Sequence, residues 1–257
     1  MNKSTSRYIW EIIGLIVVED LIIFNPHYVL DPFNLSEAGA IAAQEIISFV
    51  IFVLINIFIV KVKINLIPTV SWGRILILAV PIYIVIVAAV QRIVTNTHLD
   101  VPLGITVGLG AGIFEEFFYR GLILGTLMRL FSKQTSKARQ IWYPLLITSL
   151  IFGLDHSTNA FSQPAINTLF QVIQSFTLAL IMGALYIRPG SLMMSILFHG
   201  IWDFVGSVAV GSVLSTTTVN ATFIVSNLVL DLILFSGAWF YLRAKKIPSI
   251  RLDRFYR

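Results

Sequence analysis

The sequence predicts an all-α, polytopic membrane protein: a bundle of about eight transmembrane helices with both termini cytoplasmic. Three observations carry that prediction. Of 257 residues, 57% are hydrophobic and only 12% are charged, about half the charged share of an ordinary soluble domain. Stretches of about 20 mostly apolar residues, the length that crosses a bilayer, recur along the whole chain. The basic residues between them fall almost entirely on alternate connections. A soluble fold, a disordered chain and a coiled coil are excluded by the same composition. So is a nucleic-acid partner, because the +5 net charge sits on a chain too apolar for one. With no cysteine, disulfides, thiolate zinc sites and a cysteine nucleophile are absent.

The elements follow in order. Tyr8–Phe24 carries Glu11, Glu19 and Asp20 and lacks a small-residue cleavage site, so it reads as a retained helix rather than a signal peptide. Turn chemistry at Asn25-Pro26 and Asp31-Pro32 separates it from Ala38–Val60. Pro68 precedes Trp72–Val94, and Pro102 opens Leu103–Met128. Ile141–His156 comes next, then Pro164 and Ala165–Ile187. Pro189-Gly190 leads into Ser191–Val210, and Val219–Leu242 closes the series. No internal repeat or low-complexity linker is evident, so residues 1–257 read as one polytopic domain, with its motifs in 103–210.

Charge sets the orientation. With a cytoplasmic N-terminus, alternation places Lys3 and Arg7 inside, then Lys61, Lys63 and Arg74, then Arg129, Lys133, Lys137 and Arg139. Arg188 and the tail residues Arg243, Lys245, Lys246, Arg251, Arg254 and Arg257 join them. Only Arg92 falls opposite, and Arg120 lies within a span. That asymmetry is what the positive-inside rule expects. A basic tail beside a span meets anionic lipid.

Ionisable side chains inside spans are expensive and mark function by default. The fourth span holds Glu115, Glu116 and Arg120; the fifth ends in Asp155-His156; the seventh holds His199 and Asp203; the eighth holds Asp231. His27 and His98 fall in loops. Gly104, Gly108 and Gly112 recur every four residues, a stripe that lets another helix come close. Continued by fours, it reaches Glu116 and Arg120, which can pair at i,i+4 and read as structural. Glu115 lies about 100° round the helix with no cation at i±3 or i±4. An unpaired carboxylate in a dry setting suits a general base. His199 and Asp203 are also i,i+4, and a hydrogen bond between them would fix the imidazole tautomer. Each group alone suits a satisfied contact between helices. Three helices each delivering one point instead to a site that activates water or ligates a divalent metal. Asn167, Gln171 and Gln174 give the sixth span a polar stripe that suits a bound peptide or helix packing. Glu19 and Asp20 are expected near the outer interface, and most remaining acids in loops or near span ends.

The runs Glu115-Glu116…Arg120, Phe152…His156 and His199…Asp203 stand in this order on separate helices. They resemble the motifs of the CPBP family, the CAAX-prenyl-endopeptidase-like and bacteriocin-processing membrane proteases also called Abi proteins. The resemblance covers Leu103 to Val210. It implies a glutamate-dependent intramembrane endopeptidase in which Glu115, helped by His156, activates water. His199 and Asp203 would stabilise the oxyanion, with Glu116 and Arg120 in support. Asp203 stands where the prenyl-protease branch has asparagine. An ionised carboxylate cannot donate to an oxyanion, so Asp203 is either protonated or orients His199. The implied mechanism requires no cofactor. A divalent metal such as zinc is disfavoured; if one were held, Glu115, His156 and His199 would be its ligands. The implied setting is a bacterial plasma membrane, with the lipid bilayer around the chain and a membrane-associated peptide or protein as substrate. Two further classes stay open: a non-catalytic immunity or regulatory protein that binds a peptide or partner membrane protein, and a proton-coupled transporter. The transporter is the less favoured, since no inverted repeat or pair of broken helices is evident.

Overall fold

The computed structural model describes residues 3–24, 33–209 and 218–256. The turns read at Asn25-Pro26 and Asp31-Pro32, together with His27, Val210 and Arg257, lie outside the described residues. Among those described the chain is helical, with no strand. Helix α1 is Lys3–Phe24 and α2 is Glu37–Ile55, continued by a π-helical turn, Asn56–Val60. Helices α3 (Trp72–Leu78) and α4 (Val80–Thr95) follow. Helix α5 (Val101–Leu109) runs through a π-helical stretch, Gly110–Ile123, into α6 (Leu124–Leu130). Helix α7 (Lys137–Asp155) ends in a 3₁₀ turn, His156–Phe161; α8 (Ala165–Ile187), α9 (Leu192–Ser207) and α10 (Ala221–Leu242) complete the bundle.

Among the described residues, four segments are long and apolar enough to cross a membrane: Glu37–Val60, Val101–Leu130, Ala165–Ile187 and Ala221–Leu242. Helices α3 and α4 supply a fifth if the bent pair is one span. The expected count of eight is therefore not reached on length and composition. The physical reasons differ. Helix α1 carries Lys3, Arg7, Glu11, Glu19 and Asp20, and α7 opens on Lys137, Arg139 and Gln140. Helix α9 has 16 residues and is about 24 Å long, short of the ~30 Å hydrocarbon layer. The third span, read as one helix over Trp72–Val94, bends by 55° between α3 and α4. Pro81 lies in the first turn of α4, where it has no N–H to continue the ladder from α3, and Ala79 at the junction leaves helical geometry at φ −82°, ψ 3°.

Helix α8 occupies the middle, packed on α7, α9 and α10. Of its apolar window 67% is buried inside the protein, against 17% for α2 and for α10. Those outer helices present leucine, isoleucine, valine and phenylalanine outward, as lipid-facing helices do. Helix α9 packs on α4, α5, α8 and the π-helical stretch. It is the short inner helix that carries His199 and Asp203.

Candidate active site

The site is assembled by close backbone approach. Asp100 caps α5, accepting the Leu103 N–H at 3.0 Å, and the glycine stripe then faces α9. A Cβ on Gly108 would stand 2.6 Å from the Gly200 carbonyl oxygen, and one on Gly112 2.9 Å from that of Ile196. One on Gly104 would stand 2.9 Å from Val208 Cβ. No side chain fits there, so the two backbones touch, as a small-residue stripe allows. This contact sets the turn carrying Glu115 and Glu116 against the turn carrying His199 and Asp203. On the other flank, a Cβ on Gly153 would stand 2.9 Å from the Val172 carbonyl oxygen, which brings the end of α7 and His156 onto α8.

The run around Glu115 departs from α-helical winding. Residues Gly110–Ile123 bond i→i+5, a rare arrangement that clusters at functional sites. A fixed 100° step per residue therefore does not describe this stretch. The expected Glu116–Arg120 pair nonetheless forms: Arg120 Nη1 lies 2.9 Å from Glu116 Oε1, with both side chains buried. The guanidinium also sits over the Phe152 ring, 4.4 Å from its centroid, a cation–π contact in a dry setting.

Glu116 does more than balance Arg120. Its Oε1 is 2.8 Å from His199 Nδ1, and its Oε2 accepts a hydrogen bond from the Ser195 hydroxyl. The hydrogen bond expected between His199 and Asp203 is not formed. Asp203 Oδ2 lies 3.7 Å from His199 Nε2, an ion-pair distance and not a hydrogen bond, and Glu115 Oε2 lies 3.9 Å from the same nitrogen. The four-residue spacing within α9 puts Asp203 near the ring, but the buried carboxylate from the facing helix reaches the orienting nitrogen. Ser195, one turn before His199, was not singled out from the sequence; its i−4 position relative to His199 is the signal that could have found it. Glu115 and Asp203 leave 28% and 29% of their side chains accessible, against 2% for His199 and none for Glu116. The site opens on the Glu115–Asp203 side.

His156 Nδ1 lies 2.9 Å from the Phe152 carbonyl oxygen. Donation there leaves the lone pair of the neutral ring on Nε2. The Phe152 ring stands edge-on between the two histidines, 4.9 Å from His156 and 5.7 Å from His199. So Glu115, Glu116, Arg120, His199 and Asp203 form one connected set, and His156 adjoins it through Phe152.

Other acids lie elsewhere than expected. Glu19 is buried and accepts from the Tyr119 hydroxyl at 3.4 Å. Oxygens of Glu19, Asp20 and Asp155 all lie within 4.8 Å of one another. Asp155 thus belongs to that group rather than to the histidine site. The set Glu115, His156 and His199 does not come within the same mutual distance among the described residues. Asp231 accepts from the Thr177 hydroxyl at 2.7 Å, a partner on α8 that its own helix could not reveal. In the polar stripe, Gln171 accepts from Asn159 at 3.0 Å and Gln163 at 2.7 Å, and Gln174 donates to Asn227 at 3.3 Å. Packing between segments accounts for Gln171 and Gln174. Glu45, expected with the acids of loops and span ends, sits inside α2 with its carboxylate turned inward against Gly110.

Compared with known protein families, residues 97–205 match the family described as Type II CAAX prenyl endopeptidase Rce1-like. The match takes in all three motifs and α5 to α9, under half of the chain. Neither the curated proteins nor the solved structures give a match.

Proposed function

We propose that this protein, whose residues 97–205 match the Rce1-like type II CAAX prenyl endopeptidase family, is a CPBP-type intramembrane protease that hydrolyses a peptide bond of a membrane-associated substrate through water activated by Glu115. A peptidase acting on a peptide or protein in a membrane follows from the family; the residue roles are our reading. One observation carries them. Buried Glu116 holds His199 by Nδ1 at 2.8 Å, which turns Nε2 to the open side, where Glu115 and Asp203 stand 3.9 and 3.7 Å away.

The chemistry follows from those positions. Glu115 takes one proton from a water, and the lone pair on Nε2 of His156 accepts its second hydrogen as a hydrogen bond. The water oxygen adds to the scissile carbonyl carbon, and the carbonyl electrons move to oxygen. His199, as an imidazolium, donates at both nitrogens: Nδ1 to Glu116 and Nε2 to that oxyanion. Protonated Glu115 then returns its proton to the amide nitrogen as the C–N bond breaks, giving a carboxylic acid and an amine. In this arrangement Glu116 supplies the orientation, and Asp203 lies at the mouth beside Nε2 without having to donate. No ion is needed for any step.

The test is cleavage of a pool of single-span peptides by the full chain in proteoliposomes, with products read by mass spectrometry. General-base removal costs about 10²–10⁴ in rate, so Glu115→Gln should lose cleavage by that factor while its unfolding transition in detergent stays put. Wild-type rates from Glu115→Gln would overturn the mechanism. Activity lost to a chelator and restored by stoichiometric zinc would overturn the metal-free reading.

A further inference from the structure

Glu45 lies on α2, outside residues 97–205, in one of the most apolar helices of the chain. A carboxylate at such a depth is expensive unless it has work to do. Its side chain occupies the space a Cβ on residue 110 would need: that atom would stand 2.8 Å from Glu45 Cγ, 3.1 Å from Cδ and 3.3 Å from Oε1. Gly110 is therefore the seat of Glu45, and it opens the π-helical turn that carries Glu115. Glu45 Oε2 is shielded from solvent and has no hydrogen-bond partner.

A buried acceptor without a donor calls for an occupant. The charges around it say of which kind. Arg120 is already matched by Glu116, so Glu115 and Asp203 stand on the open side beside the imidazole of His199, and Glu45 is seated against Gly110, where the same π-helical run begins. Two carboxylates beside one imidazole, with a third at the start of the same run, make a cleft complementary to positive charge.

We propose that Glu45 reads the substrate: it accepts a cationic group, a lysine or arginine side chain next to the scissile bond, and so positions that bond over Glu115. The inference rests on the hydrolytic reading above. It makes α2, a helix outside the family match, part of the specificity of the site.

The experiment uses the full chain in proteoliposomes and two single-span peptides that differ only by lysine or norleucine beside the cleaved bond. A charge-assisted hydrogen bond in a dry cleft gives roughly tenfold or more in affinity. Wild type should therefore show a KM about tenfold lower for the lysine peptide. Glu45→Gln should bring that ratio close to one, and Glu45→Asp should restore part of it. Gly110→Ala, which displaces the Glu45 side chain without deleting it, should erode the preference in the same direction. Equal losses on both peptides, or a lysine preference that survives Glu45→Gln, would overturn the proposal. Fluorescence anisotropy of the same peptides on Glu115→Gln protein reads binding alone. A lysine preference there that vanishes on adding Glu45→Gln upholds Glu45 even if no peptide is cut, and its absence counts against Glu45 even if cleavage proceeds.

Discussion

Among the described residues Arg120 is the largest fully buried side chain, and its guanidinium pairs with Glu116 at 2.9 Å. Breaking a buried pair by neutralising one partner costs about 3–5 kcal/mol, because the other charge is left uncompensated. Glu116→Gln should therefore lower stability by roughly that amount, read as a shift in the denaturant midpoint in detergent. The double change Glu116→Gln with Arg120→Gln should recover part of the loss, since no charge is then stranded. Activity should not recover with it, because His199 has lost the carboxylate that turns Nε2 to the open side. Equal stability of single and double variants would show that the pair does not carry this burden. At this scale the sequence was legible for one of the two pairs that share a helix, since Asp203 stands 3.7 Å from His199 without a hydrogen bond. Glu116 and Arg120 are four residues apart, and the pair forms. It was illegible where the partner comes from another helix: Ser195 and His199 reach Glu116 across 79 and 83 residues, a distance no local period reports. Glu45 was missed for the same reason, since its neighbour is Gly110 and nothing in α2 announces it.

At the scale of elements, the site depends on how closely α5 and its π-helical continuation approach α9. The period-four glycines made that contact legible, because only small residues allow backbones to touch. The π-helical winding of Gly110–Ile123 was not legible, since its one internal pair, Glu116 and Arg120 four residues apart, is expected from α-helical spacing and forms under π-helical winding as well. Element ends were clearest where punctuation is strong: Ala165–Ile187 is read and found with identical limits, preceded by Pro164 and followed by Arg188. The bend at Ala79 was missed because Pro81 interrupts an otherwise continuous apolar stretch. A methyl group tests the contact directly. Gly108→Ala and Gly112→Ala would place a Cβ 2.6 and 2.9 Å from backbone oxygens of α9, atoms that cannot swing aside. Each should cost about 1–3 kcal/mol as overpacking, and a shift of about 1 Å between catalytic groups can lower the rate about 100-fold. Gly14→Ala and Gly73→Ala, where nothing lies within 4 Å of the new atom, should leave both properties near wild type. Similar losses in all four would show that helix glycines matter generally and that the α5–α9 contact is not special.

At the scale of the whole molecule, the basic segments separated along the sequence meet at one end of the bundle. Arg7 donates to the Ile59 carbonyl at 3.3 Å, and Arg129 donates to the carbonyls of Val60 and Lys61 at 3.1 and 2.5 Å. Lys137 reaches the Pro248 carbonyl at 3.0 Å, Arg188 that of Lys246 at 3.2 Å, and Arg254 that of Ile67 at 2.9 Å. Burial holds the Arg188 guanidinium below its ordinary pKa, and Arg74 and Arg243 push it the same way, so like charges are gathered here despite their repulsion. Such crowding is tolerable where anionic headgroups and cytoplasmic water screen it. The expectation that follows concerns sidedness, independently of how many helices cross. Because the chain has no cysteine, single introduced cysteines report cleanly on access. Gln134→Cys and Lys246→Cys should react with a membrane-impermeant maleimide only after the cytoplasmic face is exposed. His98→Cys and Ser162→Cys, in connections assigned to the opposite side, should react in intact cells. Matching access for positions 134 and 246 is required by the hydrogen bonds that tie their segments together. Opposite access for position 98 additionally requires an odd number of crossings between it and residue 134, which the span through Glu115 supplies. Labelling of all four from the same side would mean that this helix enters the bilayer and returns, and that the site opens to the compartment holding the basic tail.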